Sequence, residues 1–526
     1  MRPMHLEDWV NSPIAVGQYC NDAPLSGFQR RDGRGGNPLH PAEPNDGFEA
    51  ALARTYASLR EQFPYLQIHR HVVRMPYWTG PALPAPSDYV FASTPQPLTT
   101  TSITVLTVPR TCIGAAQAGF HYRGAALAPL RDRLHGRRFR GLIGNLGYYM
   151  TESLIGCKFP WSHNRRYPDH PLPTKPSYLG FHLSTDAETG ATHSGFGGAL
   201  PAAVGIGEDG TLCLLPRLDI DAYEVTLAGH TFVVDTVDDP RARSDVTVFT
   251  PGFHGPDIDA LVKQVERQPD SAVWQTFAPM VPLPDAADRL HIFVANRGNG
   301  ETPVERVVAV WLGQAPLPSF GAVLSFKRAW FESKFGEVDR FRDRYLETPV
   351  QIVPLGWSSD RRYVRILGGL VPAVVGGQHV CRADNVPTMM ARLSRYGNTT
   401  SPFARTGQES RNFDPHVREP AGLLIQTDGA VGWVLFDGRH ELSMGASVVD
   451  ALQILYRLDA MNAFGGPLQA AVFLDGGSAM KLYYAESDGE DVRLDLLNRV
   501  AAGSRNGPGR DTDGLNLYST VSLALN

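Results

Sequence analysis

The stretch AVFLDGGSAMKLYY, Ala471 to Tyr484, decides how this chain reads. Its apolar run, Ala471 to Leu474, has the character of a buried strand. The run halts at Asp475-Gly476-Gly477-Ser478, and Ala479 to Tyr484 resumes as a second strand or a short turn. A carboxylate at the end of a core strand stands on a rigid support. Two glycines let the backbone turn with positive φ and approach a ligand closely. Exposed N–H groups in such a turn form a nest for an anion, and Ser478 adds a hydroxyl. The stretch thus offers an acid or base, an anion cradle and a hydrogen-bond donor together. The competing reading is a tight hairpin with a surface Asp-Gly turn.

Around this stretch the chain runs to 526 residues, which at ~150 residues per domain predicts two to four units. Hydrophobic residues make up 43% and charged residues 20%, enough apolar content for a substantial globular core. A formal net charge of -5 argues against a general nucleic-acid binder. Cys20, Cys112, Cys157, Cys213 and Cys381 show no metal-ligand spacing, so a cysteine zinc site is not expected. Their low density points to a reduced, cytoplasmic protein. MRPMHLEDWVNSP has no apolar leader core, and no stretch reaches the ~18 apolar residues of a membrane span, so no membrane partner is expected.

Residues 1–100 read as an irregular, Pro- and Gly-rich extension wrapping a core domain. One helix interrupts it, Gly47 to Phe63, with Phe48, Leu52, Tyr56 and Leu59 at helical spacing. Tyr77 and Trp78 either cover a cleft or plug the extension onto the core. From Ser102 the texture is that of strands: SITVLTVP, the Leu142-Ile143 run, then several between Thr211 and Val248. Residues 252–290 read as an insertion with a helix at Asp257 to Arg267. Beyond it, strands return at His291, Val304 and Gly321. Leu423 to Thr427 and Val431 to Phe436 form a hairpin about Asp428-Gly429. Ser447 is the expected N-cap of a helix from Val448 to Leu458. The expected fold class is α+β, with mixed, largely antiparallel sheets and flanking helices over residues 101–526.

Other strand ends carry polar groups. Gly144-Asn145-Leu146-Gly147-Tyr148-Tyr149 closes the Leu142-Ile143 strand. It is either a turn, since Asn tolerates left-handed geometry, or a ligand contact by Asn145 and Tyr148. Residues 157–175 hold His163, Arg165, Arg166 and His170 between prolines, a substrate loop or a solvated basic one. Arg418 enters the strand at Leu423, and Arg510 precedes the last strand.

The order of these pieces resembles the phosphodiester glycosidase family, whose best-known activity removes N-acetylglucosamine from a sugar-1-phosphodiester on lysosomal enzymes. GNLGYYM at Gly144 to Met150 is similar to that family's Asn-Gly-Phe-Phe type strand end. DVTVFTP at Asp245 to Pro251 resembles its central strand, and GGLVPAVVGG at Gly368 to Gly377 its Gly-Gly-Pro strand. Arg418-Glu419-Pro420-Ala421-Gly422 matches its Arg-Thr-Ala-x-Gly entry at the Arg and Gly ends. Leu474-Asp475-Gly476-Gly477-Ser478 matches Leu-Asp-Gly-Gly-Gly-Ser with one glycine missing. The likeness runs from about Ser102 to Asn526, is best over the last part of the chain, and excludes residues 1–100.

The resemblance implies a hydrolase that cleaves the bond between an anomeric carbon and a phosphodiester oxygen. Such a reaction needs a carboxylate near the anomeric carbon, a role for Asp475. It needs cations or N–H groups at the leaving phosphate: Gly476, Gly477, Ser478, Arg418 and Arg510. Neutral polar groups, Asn145 and Tyr148, suit the sugar hydroxyls. Glu152 or Glu409 would complete a carboxylate pair, with Glu419 a weaker choice. No organic cofactor is expected, and the phosphate admits a divalent cation such as calcium or magnesium. The expected partner is a small molecule or glycan carrying a phosphate. Two other classes fit the same residues: a binding protein for sugar phosphates or nucleotides without turnover, and a structural protein of a surface or phage-like assembly.

Overall fold

A computed structural model describes residues 48–526 except 79–81, 98, 121, 124–125, 128, 148, 151–176, 179, 186–187, 191, 197–201, 219, 240–242, 251–280, 283–287, 297–304, 314–315, 318–320, 358–361, 381, 384, 386–387, 390–391, 393–417, 439–441, 477–479 and 500–518. The proposed insertion at 252–290 falls largely outside these residues, as does its helix.

Among the described residues three large antiparallel sheets carry the fold, beside three two-stranded ones. The largest has twelve strands. Its centre runs in the order Tyr363–Val375, Leu468–Phe473, Ala421–Thr427, Ala430–Phe436, Thr100–Pro109 and Gln67–Arg74. A seven-stranded sheet contains Arg289–Asn296, Glu305–Leu312, Ala322–Lys327 and Pro349–Trp357. A five-stranded sheet runs Val492–Leu496, Leu482–Asp488, Arg138–Asn145, Ser519–Leu525 and Ile113–Phe120. Antiparallel strands dominate and helices are few. The chain is therefore richer in β-structure than the α+β expectation, although its sheets are antiparallel as expected.

The large sheet is covered on both faces, which explains the unbroken apolar runs of its central strands. Ala471 and Phe473 face a layer built on the helix Val448–Ala460, through Val449, Leu452, Leu455 and Leu458. Ala470, Val472 and Leu474 face the five-stranded sheet, through Leu142, Leu482, Tyr484 and Leu523, with Leu52, Tyr56 and Leu59 of the helix Phe48–Gln62. Each of the fully buried Val, Leu and Phe side chains among them stabilises the fold by roughly 1.5–3 kcal/mol. Ser447 caps the helix Val448–Ala460 as expected: its hydroxyl accepts from Asp450 N at 3.2 Å, and Asp450 reaches back to Ser447 N at 3.0 Å.

Residues 1–47 of the expected irregular extension lie outside the described residues, and the reading needs revision for the part that follows the helix Phe48–Gln62. Gln67–Arg74 pairs with Thr100–Pro109 along its whole length. The segment is thus part of the central sheet, and local proline and glycine content hid it. Pro372 lies inside a central strand, where it cannot donate to the ladder. The pairing with Leu468–Phe473 shifts register between Pro372 and Val374, which accommodates the missing N–H.

The seven-stranded sheet buries Glu305 almost completely, at 1% exposure. Its Oε1 accepts from Phe196 N at 2.8 Å, while Oε2 has no hydrogen-bond partner among the described residues. Burial pushes this carboxyl up to about 8, and the Phe196 hydrogen bond only partly opposes the shift.

Candidate functional site

Asp475 follows the strand Leu468–Phe473 of the large sheet, and the chain then enters Leu482–Asp488 of the five-stranded sheet. Residues 475–481 therefore cross between sheets. The alternative of a tight hairpin with a surface Asp-Gly turn does not hold, because the two strands do not pair with each other.

Backbone hydrogen bonds stitch this crossing in place. Leu474 N donates to Gly422 O at 2.9 Å, and Asp475 N donates to Leu146 O at 2.8 Å. The Asn145 amide donates from Nδ2 to Asp475 O at 2.6 Å. Asn145 is 2% exposed, and its Oδ1 is buried with no hydrogen-bond partner among the described residues. Ser519 Oγ donates to Gly147 O at 3.0 Å. The Asp475 side chain is half-buried.

The glycines around this point are demanded by close backbone contact. A Cβ on Gly147 would lie 2.5 Å from Gly368 O, and one on Gly180 would lie 2.0 Å from Gly369 N. Asn145-Leu146-Gly147 and Asp475-Gly476, each at or just past a strand end, thus converge beside Gly368-Gly369 in the middle of the strand Tyr363–Val375. Sequence reading flagged all three separately.

Arg418 departs from its expected role. Its guanidinium forms a two-pronged ion pair with Asp450, Nε to Oδ2 at 2.8 Å and Nη2 to Oδ1 at 3.1 Å. Nη2 also donates to Pro76 O at 2.6 Å. Asp450 Oδ1 accepts in addition from Tyr89 Oη at 2.8 Å and Trp78 Nε1 at 3.3 Å. Burial alone would raise the Asp450 carboxyl, but Arg418 and these hydrogen bonds hold it below the usual carboxylate range. Arg418 therefore anchors the start of the helix Val448–Ala460 to the sheet, and its Asp450-bound atoms are not presented to a phosphate. Trp78 fastens the preceding segment to this ion pair, the plug rather than the cleft cover, whereas Tyr77 stays exposed. Glu419 is buried and its backbone bridges to Ala446.

Lys481 is the residue that sequence reading missed. It lies five positions beyond Gly476, is 2% exposed, and its carbonyl accepts from Asn145 N at 3.1 Å. That bond continues the ladder in which Leu482 faces Gly144, so Lys481 and Asn145 are cross-strand neighbours. Thr520 faces Asn145 from the other side. Burial pushes the Lys481 ammonium down to about 8. The signal in the sequence was a lysine inside an apolar run, MKLYY.

Tyr148, Glu152, Gly477, Ser478 and Arg510 lie outside the described residues, as do Glu409 and the loop at 157–175. Among the described residues no three His, Cys, Asp or Glu side chains gather as metal ligands, and no helix is long and apolar enough to cross a membrane.

No family model and no curated protein matches this chain. Among solved structures it is similar to a "hypothetical protein from Synechocystis", at 14% identity and TM-score 0.34 over 81% of this chain and 60% of that one. It is also similar to a "Putative exported protein" of Burkholderia pseudomallei K96243, at 15% identity and TM-score 0.36 over 81% of this chain and 74% of that one. The chain spans less than two thirds of the length of the Synechocystis protein. Likenesses this distant carry no function across to it.

Proposed function

We propose that the chain is a hydrolase that cleaves the glycosidic bond of a sugar-1-phosphodiester or a related phosphorylated glycoside or nucleotide sugar. The observation that supports this reading is the convergence of Asn145, the Gly147–Gly368 contact and Asp475. In this reading Asp475 is the acid, base or nucleophile at the anomeric carbon. The Gly476 backbone and the Lys481 ammonium face the leaving phosphate, and Asn145 Oδ1 accepts from a sugar hydroxyl. A phosphate is a good leaving group, so one carboxylate beside cationic groups suffices. A divalent cation on the phosphate remains compatible with this scheme. A free thiol at Cys112 suits the reducing, cytoplasmic setting that is part of the same reading.

The test is release of free sugar from a panel of sugar-1-phosphodiesters and nucleotide sugars by wild type and Asp475→Asn. Turnover by wild type that falls by about 10²–10⁴ in the variant, with binding retained, supports the reading. Equal turnover in both overturns it. The engagement of Arg418 by Asp450 favours a second reading, a binding protein for sugar phosphates without turnover. Ligand binding with no sugar release by wild type would select it.

A further inference from the structure

A cleft of about 320 Å³ opens on the helix Val448–Ala460, far from Asp475. Its walls are the segment 83–86, the residues His379, Arg382, Ala383 and Met389, and Leu452, Gln453 and Tyr456 of the helix. The helix's Asp459 marks its position, for Asp459 Oδ1 accepts from Leu468 N at 3.1 Å, at the start of the strand that ends beside Asp475. Six residues of strand at ~3.3 Å each place the two sites roughly 20 Å apart. The volume falls at the small end of the range for ligand pockets.

The chemistry of the lining has a sign. Leu83, Met389 and Leu452 give it an apolar body, and Gln453 and Tyr456 add polar groups. The Arg382 guanidinium lies over the Tyr456 ring, 5.0 Å from its centroid, and no carboxylate among the described residues pairs with it. The nearby carboxylates among the described residues are engaged: Asp459 Oδ2 holds His379 Nε2 at 3.0 Å, and Asp88 Oδ2 accepts from Ala85 N at 2.8 Å. Behind the 83–86 wall, Arg457 donates only to carbonyls, those of Pro86 and Tyr89, and stacks over Phe91. Cations therefore outnumber uncommitted anions around an apolar floor.

We propose that this cleft binds a small monocarboxylate with an apolar body, its carboxylate on Arg382 and its body against Leu83, Met389 and Leu452. An arginine held over an aromatic ring still offers N–H groups in the fork that carboxylates match. The site is independent of the proposed hydrolysis at Asp475.

Isothermal titration of the full chain with benzoate, and with neutral benzamide as control, tests the proposal. Benzoate is expected to bind at least about tenfold more tightly than benzamide, a difference of about 1.4 kcal/mol. Arg382→Ala is expected to erase that preference. Gln453→Trp, which fills the cleft from its solvent side, is expected to abolish binding. Asp475→Asn is expected to leave binding unchanged, whether or not the chain hydrolyses sugar phosphodiesters. Absence of benzoate binding by wild type, equal binding of benzamide, or binding that survives Gln453→Trp would each overturn it.

Discussion

Asp450 and Asp459 sit on the same helix, Val448–Ala460, and meet opposite fates. Asp450 is fully buried and gathers Arg418, Tyr89, Trp78 and the Ser447 amide. Asp459 is partly exposed, with 20% of its side chain accessible, and holds His379 and the Leu468 amide. The first closes one end of the molecule around backbone and side chain alike. The second leaves a cleft beside it. Acids on one helix can therefore serve as a rivet or stand at the edge of a cleft, and burial with a complete set of donors is what separates the two.

The sharpest way to break this comparison is Asp450→Ala. It leaves Arg418 buried without its anion and should cost about 3–5 kcal/mol, read from chemical denaturation. A loss under about 1 kcal/mol would mean that the ion pair is not a rivet. Glu305 extends the comparison to a buried acid with no cation paired to it among the described residues. Its carboxyl is raised from 4.5 to about 8, so the folded state favours the protonated form. The stability it supports is complete below about pH 4.5 and is lost as pH rises through about 8. Stability should fall with pH across that window, by about 1.4 kcal/mol per unit at the steepest, and Glu305→Gln should flatten the slope. An unchanged profile in the variant would place the titration elsewhere.

Gly147→Ala probes the closed end through its backbone. Its Cβ would come within 2.5 Å of Gly368 O, so the two segments must part, at a cost of about 1–3 kcal/mol. A variant as stable as wild type would show that this end yields easily. Asp459→Asn should have the smallest effect, about 1 kcal/mol or less in the same denaturation measurement, since its bonds lie close to water. A loss equal to that of Asp450→Ala would erase the distinction between the two aspartates.

The sequence made the central strands legible because burial on both faces leaves an unbroken apolar run, as in Ala471 to Leu474. The helix Val448–Ala460 was equally plain, since its cap and its apolar face are local. The convergence of Asn145, Gly368 and Asp475 was marked only by glycines, two sets at strand ends and one inside the strand Tyr363–Val375. What was not legible is what depends on distant pairing. Arg418 finds Asp450, a residue that reads as an ordinary helix-start acid. Gln67–Arg74 alternates well enough for a strand, but its surroundings looked like loop. The cleft draws its lining from three separate segments, none with a motif.

The five-stranded sheet also sets the order in which the molecule can be made. The strand Ile113–Phe120 pairs with Ser519–Leu525, and Arg138–Asn145 lies between that strand and Leu482–Asp488. During synthesis both early strands leave the ribosome long before their partners exist. Their open edges then resemble the unpaired strands that recruit other chains. Pairing along these edges therefore waits for the strand Ser519–Leu525, and removing that strand would leave the facing edges of both early strands without it.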